Sequence, residues 1–192
     1  MTVAVAVLAA GASRRLGSPK QLVEHGGEPL VRRVTREACA SSADQVWVVL
    51  GASEARIQPV LAGLRAEPIA NVVWEEGVAS SIRCAARLAT RRGVGALILA
   101  LGDQPALTGA HLDRLAAEHR RGAKVAASRY AGTLGVPALF DRTFLWELLA
   151  LQGDTGAKSL LRRLSGVTAI DWPEGELDID TAEDVAALHA RA

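Results

Sequence analysis

The stretch that most constrains this chain is Thr2-Val-Ala-Val-Ala-Val-Leu-Ala-Ala10, which is apolar at almost every position and passes straight into Gly11-Ala-Ser-Arg-Arg-Leu-Gly-Ser-Pro-Lys20-Gln-Leu22. A strand with no polar face has to be covered on both sides, so it belongs inside a sheet flanked by helices. The loop that follows is suited to an anion. Gly11 and Gly17 let backbone N–H groups approach without a Cβ in the way, and Arg14, Arg15 and Lys20 set three cations on one short segment. Its spacing, Gly-x3-Arg-x-Gly-x2-Lys, differs from a Walker A loop, where Lys and Ser/Thr follow the second glycine directly. A strand feeding such a loop points to a triphosphate. An ordinary strand-to-helix loop with solvated charges is the alternative.

The pattern then repeats. Pro29 stands where a helix begins, with Leu30, Val31, Val34 and Ala38 at helical spacing. Gln45–Leu50 reads as a strand, Ser53 as a helix cap, and Ile57, Val60, Leu61 and Leu64 as one helical face. Ala70–Trp74 is expected to be a third strand, Ser80 or Ser81 to open a helix through Ile82, Ala85, Ala86 and Ala89, and Gly95–Leu101 to be a fourth strand buried on both faces. Strands that alternate with helices and lack polar faces predict an α/β fold, a three-layer α/β/α sandwich on a mainly parallel Rossmann-like sheet. Further on, Thr108 and Asp141 read as helix caps, Val125–Ser128 and Val167–Ile170 as strands, and Gly153-Asp-Thr-Gly156 as the opening of another helix. Leu134–Phe140, interrupted by Pro137, reads as an edge strand or loop. A last helix is expected from Thr181. No linker or repeat divides the 192 residues, so one domain over 1–192 is expected.

Composition narrows the function classes. A net charge of +1 offers no overall field for nucleic acid or an anionic membrane, so anion binding has to be local to the basic loop. No apolar run approaches the ~18 residues needed to span a bilayer, and no targeting segment precedes the first strand. Cys39 and Cys84 lack the spacing of a metal site or disulfide framework and are expected to be buried reduced thiols. Together these features predict a soluble, cytoplasmic protein with no nucleic-acid or membrane partner. His25, His111, His119 and His189 show no partner spacing and read as surface residues, and the four tryptophans read as core or edge packing.

Three clusters carry chemistry. Asp103, in Gly102-Asp-Gln-Pro105, follows the most apolar strand and is expected beside the first loop, where open α/β sheets bind ligands. A carboxylate there beside a polyphosphate is the hard oxygen donor that Mg²⁺ prefers. Asp178 and Asp180, two apart before the last helix, are candidates for the same ion or for acids favouring a helix start. Asn71, Gly77 and Ser81, with Trp74 among them, set glycine and small polar groups at a helix amino terminus, which suits a base or ribose or simply a cap.

Leu8-Ala9-Ala10-Gly11 with Arg15, Gly17 and Lys20 resembles the signature of the MobA/MocA-like nucleotidylyltransferase family, in its cytidylyltransferase form. Gly-Asp103-x-Pro, the Asn71–Ser81 segment and Asp178-Ile-Asp180-Thr extend the resemblance over nearly the whole chain. It implies a mixed seven-stranded sheet, catalytic roles for Arg15, Lys20 and Asp103, and nucleotide contacts from Leu8, Ala9, Ala10, Gly11, Asn71, Gly77 and Ser81. It also implies metal binding by Asp103 and Asp180. Gly135, Pro137 and Phe140, with Gly153–Lys158, would flank the acceptor. The implied reaction transfers CMP from CTP, with Mg²⁺, to a molybdopterin-type molybdenum cofactor destined for a molybdenum hydroxylase apoenzyme. Transfer to a sugar or polyol phosphate is the alternative within the class, and a molybdenum cofactor chaperone is the alternative outside it. A nicotinamide-dependent reductase lacks its Gly-x-Gly-x-x-Gly loop.

Overall fold

The structure, a computed structural model, describes residues 2–13, 17–176 and 184. In chain order its elements are β1 (Val3–Ala9), the short strands β2 (Glu24–His25) and β3 (Glu28–Pro29), α1 (Leu30–Ala40), β4 (Gln45–Leu50) and α2 (Glu54–Ile57). There follow β5 (Glu67–Ala70), α3 (Val78–Arg92), β6 (Ala96–Leu101), α4 (Gly109–Arg120), β7 (Val125–Tyr130), β8 (Thr133–Asp141), α5 (Leu145–Leu149), α6 (Ala157–Arg163) and β9 (Thr168–Asp171). Seven strands form one sheet in the order β5-β4-β1-β6-β8-β7-β9. Only β8 runs against the others, so the sheet is mixed and mostly parallel.

Alternation along β1 divides the core in two. Ala4, Ala6 and Leu8 pack with α3, α5 and α6 on one face. Val3, Val5, Val7 and Ala9 pack with α1, α4 and Ile57 of α2 on the other. Every residue of β1 is buried, as a central strand covered by helices on both faces requires. The resulting α/β/α sandwich is the expected fold. Thr108 and Asp141 cap as expected, their side chains accepting from the backbone N–H groups of His111 and Thr143. β2 and β3 form a hairpin not foreseen from the sequence, turned by Gly26 and Gly27, both at positive φ.

Several expectations need correction. The Leu134–Phe140 run is an interior strand, not an edge or loop, because β8 lies between β6 and β7. Pro137 is tolerated there because the register with β7 jumps from Ala127↔Ala138 to Ser128↔Gly135, leaving residues 136 and 137 in a bulge, while pairing with β6 stops at Ala138. The third strand lies earlier than expected, at Glu67–Ala70. It is an edge strand and so accommodates Pro68, and residues 71–74 leave the sheet with Val72 87% exposed. α3 opens at Val78 behind Gly77, ahead of Ser80 and Ser81. His111 and His119 are buried, and Trp146 is exposed. The two cysteines are free and only half-buried. The helix expected from Thr181 lies outside the described residues, apart from Asp184.

Candidate active site

Because β1, β4, β5 and β6 are parallel, their carboxyl ends share one edge, and the segments leaving β1, β5 and β6 line a cavity of about 560 Å³ there. Backbone bonds lock these loops to the neighbouring strands. Gly102 donates to the Leu8 carbonyl (3.0 Å), Ala52 to Ala10 (3.2 Å) and Asn71 to Leu50 (2.8 Å). Gly51 is packed too tightly for any side chain, since a Cβ would come within 2.8 Å of the Ala10 Cβ.

The β1 loop is folded back on itself by a residue that the sequence did not flag. Gln21, almost fully buried, donates from Nε2 to the Gly11 carbonyl (3.1 Å), and Ser13 Oγ accepts from the backbone N–H of Lys20 (3.0 Å). Ser13 adopts a φ of 50° to make this closure, an uncommon conformation for a residue with a Cβ. The result brings Lys20 over the cavity, where its ammonium forms an ion pair with the carboxylate of Asp103. Asp103 itself is 6% exposed. Its turn is held by Gln104, whose Oε1 accepts from Leu101 N–H (3.2 Å) and whose Nε2 donates to the Val136 carbonyl (2.9 Å) at the β8 bulge. The irregularity in β8 therefore serves the site by offering a carbonyl that a regular ladder would have consumed.

On the opposite wall, α3 presents its amino terminus. Asn71 donates from Nδ2 to Ser80 Oγ (2.8 Å) and Ser81 Oγ (3.1 Å), and its Oδ1 accepts from Val73 N–H (3.2 Å). All three side chains of this triad are buried. Gly77 has φ 95°, and a Cβ there would lie 2.5 Å from the Gly153 carbonyl oxygen and overlap the Asp154 carboxylate. The Gly153–Gly156 loop closes down on α3, with Ala79 N–H donating to that same carbonyl (3.1 Å).

Of the residues singled out in the sequence, Leu8, Ala10, Gly11, Lys20, Trp74, Gly77, Ser81 and Asp103 line the cavity. Two do not. Ala9 points into the α1 side of the core, since neighbouring strand residues face opposite ways, and Asn71 stands behind the wall, touching Ser81 rather than the open space. Arg14, Arg15, Asp178 and Asp180 lie outside the described residues. Phe140 is fully buried in the core, Pro137 sits in the bulge and Lys158 is exposed away from the cavity lining, so these three do not form its wall. Glu75 and Asp154 do line it. Asp154 belongs to the Gly153–Lys158 segment expected to flank the acceptor, and the Gly-Asp-Thr-Gly turn is the signal that could have singled it out.

Asp103 meets the requirements of a single protein carboxylate for a divalent ion: it is a hard donor on a cavity wall, already holding a cation. Among the described residues no group of three or more His, Cys, Asp or Glu gathers to hold a metal. This donor set fits an ion whose remaining positions are filled by phosphate oxygens and water. No described helix is long and apolar enough to cross a membrane.

Residues 5–167 match the MobA-like NTP transferase domain. The purine catabolism protein PucB of Bacillus subtilis is 31% identical, over 92% of this chain and 91% of its own. The nicotine blue oxidoreductase of Paenarthrobacter nicotinovorans is 30% identical, over 95% and 94%. Among solved structures, Rv0371c from Mycobacterium tuberculosis H37Rv superposes with a TM-score of 0.83 at 31% identity, covering 98% of this chain and 97% of that one, and it is also known as a complex with manganese.

Proposed function

The chain belongs to the MobA-like NTP transferase family, and on that premise we propose that it transfers CMP from CTP to the terminal phosphate of a molybdopterin-type molybdenum cofactor, releasing pyrophosphate. The observation that carries this reading is the meeting of Lys20 and Asp103 on one wall of a cavity at the carboxyl edge of the sheet. An oxygen of the acceptor phosphate forms a bond to the α-phosphorus while the bond from that phosphorus to the bridging oxygen of the β-phosphate breaks. Pyrophosphate departs with the electron pair. A phosphate is ionised at neutral pH, so the reaction needs neither a protein nucleophile nor a strong base. The work lies in alignment and charge.

Lys20 supplies a cation to the phosphates once its partner carboxylate is engaged elsewhere, and the backbone of Gly11 and Ala12 leaves room for close approach. Asp103 would hold Mg²⁺, and the bound ion would neutralise charge on the triphosphate. Manganese in Rv0371c supports a divalent ion in this fold. Ser81, fixed by Asn71, offers a hydroxyl toward the base or ribose. Arg15 and Asp180 are proposed to add a second cation and a second carboxylate. The finished cofactor would pass to a molybdenum hydroxylase apoenzyme.

The test incubates the purified protein with molybdenum cofactor, Mg²⁺ and each of the common nucleoside triphosphates, scoring pyrophosphate. CTP is expected to give the greatest release. Release dependent on a sugar or polyol phosphate instead would move the acceptor, and tight cofactor binding without release would favour the chaperone.

A further inference from the structure

The cavity is polarised. Lys20, paired with Asp103, stands on the β1-loop side, whereas Glu75 and Asp154 stand on the side of α3 without a cation among the described lining residues. The backbone on either side of Asp154 is held in place: Gly153 accepts from Ala79, Thr155 N–H donates to the Gln152 carbonyl (3.1 Å), and Arg83 of α3 donates to the Leu151 carbonyl (2.8 Å) just upstream. Its carboxylate occupies the space that a side chain at position 77 would need. Yet among the described residues it makes no hydrogen bond or ion pair of its own, although Asp44, Asp103, Asp113, Asp141 and Asp171 all do. A carboxylate with open acceptors on the wall of a cavity that takes anionic substrates repels their phosphates, and a donor-bearing part of the ligand is the group that would satisfy it.

Resting on the nucleotidyl-transfer reading, we infer that Asp154 determines specificity by accepting hydrogen bonds from the N–H edge of a substrate heterocycle, an exocyclic amine with or without an adjacent ring N–H. The polarity of the cavity then matches the polarity of the substrate. Phosphates lie toward Lys20, and the amine-bearing ring lies toward α3 beside Trp74 and Ser81. Two rings in the proposed reaction carry such an edge. Cytosine presents its 4-amino group, and the pterin presents a 2-amino group beside a ring N–H.

CTP and UTP differ along one edge of the base, cytosine offering a 4-amine beside an acceptor nitrogen and uracil a 4-carbonyl beside a ring N–H, so their ratio reports whether Asp154 accepts from the 4-amine. Affinities of CTP, UTP and inorganic tripolyphosphate would be measured by calorimetry with Mg²⁺ for the wild type, Asp154→Asn and Asp154→Glu, with the cofactor KM at saturating CTP as a second arm. Asp154 is exposed, and thermal unfolding would verify that both variants fold. If cytosine is the ring, the wild type prefers CTP by about tenfold, the expected size for one charge-assisted hydrogen bond. That ratio falls toward one in Asp154→Asn and is partly restored in Asp154→Glu, with tripolyphosphate bound equally or more tightly. If the pterin is the ring, the nucleotide ratio holds and only the cofactor KM rises about tenfold in Asp154→Asn. Unchanged values in both arms overturn the inference. So does a parallel loss of tripolyphosphate affinity, which would assign Asp154 to the metal. A wild type that binds no nucleoside triphosphate would remove the nucleotidyl-transfer reading itself.

Discussion

Lys20 and Asp103, 83 positions apart in the chain, bring their charged groups into an ion pair on the wall of the cavity, with the Asp103 side chain 7% exposed and that of Lys20 25%. An ammonium and a divalent ion compete for that carboxylate. Lys20→Ala is therefore expected to bind Mn²⁺ alone severalfold more tightly than the wild type, by titration without nucleotide. The same variant should transfer nucleotide about 100-fold more slowly, the ~3 kcal/mol typical of one electrostatic donor. Unchanged Mn²⁺ affinity would mean that the pair does not guard the carboxylate. Asp103→Asn should raise the Mg²⁺ concentration needed for half-maximal rate.

Gly77 is the second point of leverage. Gly77→Ala combines a positive φ with a collision against the backbone of Gly153, whereas Gly122→Ala has a φ of 104° and nothing within 4 Å of its Cβ. Denaturant unfolding should show a cost of about 1 to 2 kcal/mol for Gly122→Ala. The cost for Gly77→Ala should be clearly larger, and weaker triphosphate binding should accompany it because α3 and the Asp154 loop are forced apart.

Asn71 acts through Ser81. Asn71→Ala leaves buried hydroxyls short of a partner and is expected to lower stability by about 1 to 3 kcal/mol. KM for the triphosphate should rise with little change in kcat, since Asn71 does not line the cavity. A fall in kcat at unchanged KM would give it a direct part in the chemistry.

His111 sets the acid sensitivity. It is buried, stacked on Trp172 with ring centroids 4.8 Å apart, and hydrogen-bonded through Nε2 to Ser128 Oγ (2.7 Å), which itself donates to the Pro137 carbonyl. Burial, reinforced by Arg114 and opposed by Glu174, lowers its pKa from 6.5 to about 4. The unfolded chain therefore binds the extra proton first. Stability is full above about pH 6.5, declines as pH falls toward 4 by up to about 3 kcal/mol, and has no further contribution from His111 below that. His111→Gln should flatten this segment of a stability–pH curve, and an unaltered slope would place the sensitivity elsewhere.

The sequence was most readable where one strong local signal agreed with the global fold. β1 and β4 fall almost where uninterrupted apolar runs placed them, because a central parallel strand has no polar face to confuse the pattern. The runs that misled were those whose surroundings override local chemistry. Asn71–Trp74 has strand-forming residues but lies beyond the end of an edge strand, and Pro137 hides an interior strand because a bulge removes the need for its N–H. His111 and His119 looked like surface residues because the strands and loops that bury them are distant in sequence. At the cavity, Lys20 was legible as a cation of the glycine-bearing loop after β1, and Asp103 as a carboxylate next to Gly102 at the end of β6. The supporting Gln21 and Gln104 were not, since an amide that ties a loop together carries no spacing signature.

The most direct measurement follows label from [α-³²P]CTP into purified molybdenum cofactor, with pyrophosphate counted in parallel. One labelled cofactor per pyrophosphate is expected, dependent on a divalent ion and falling about 100-fold in Lys20→Ala. Cofactor bound stoichiometrically while the label stays in CTP would contradict nucleotidyl transfer to this acceptor.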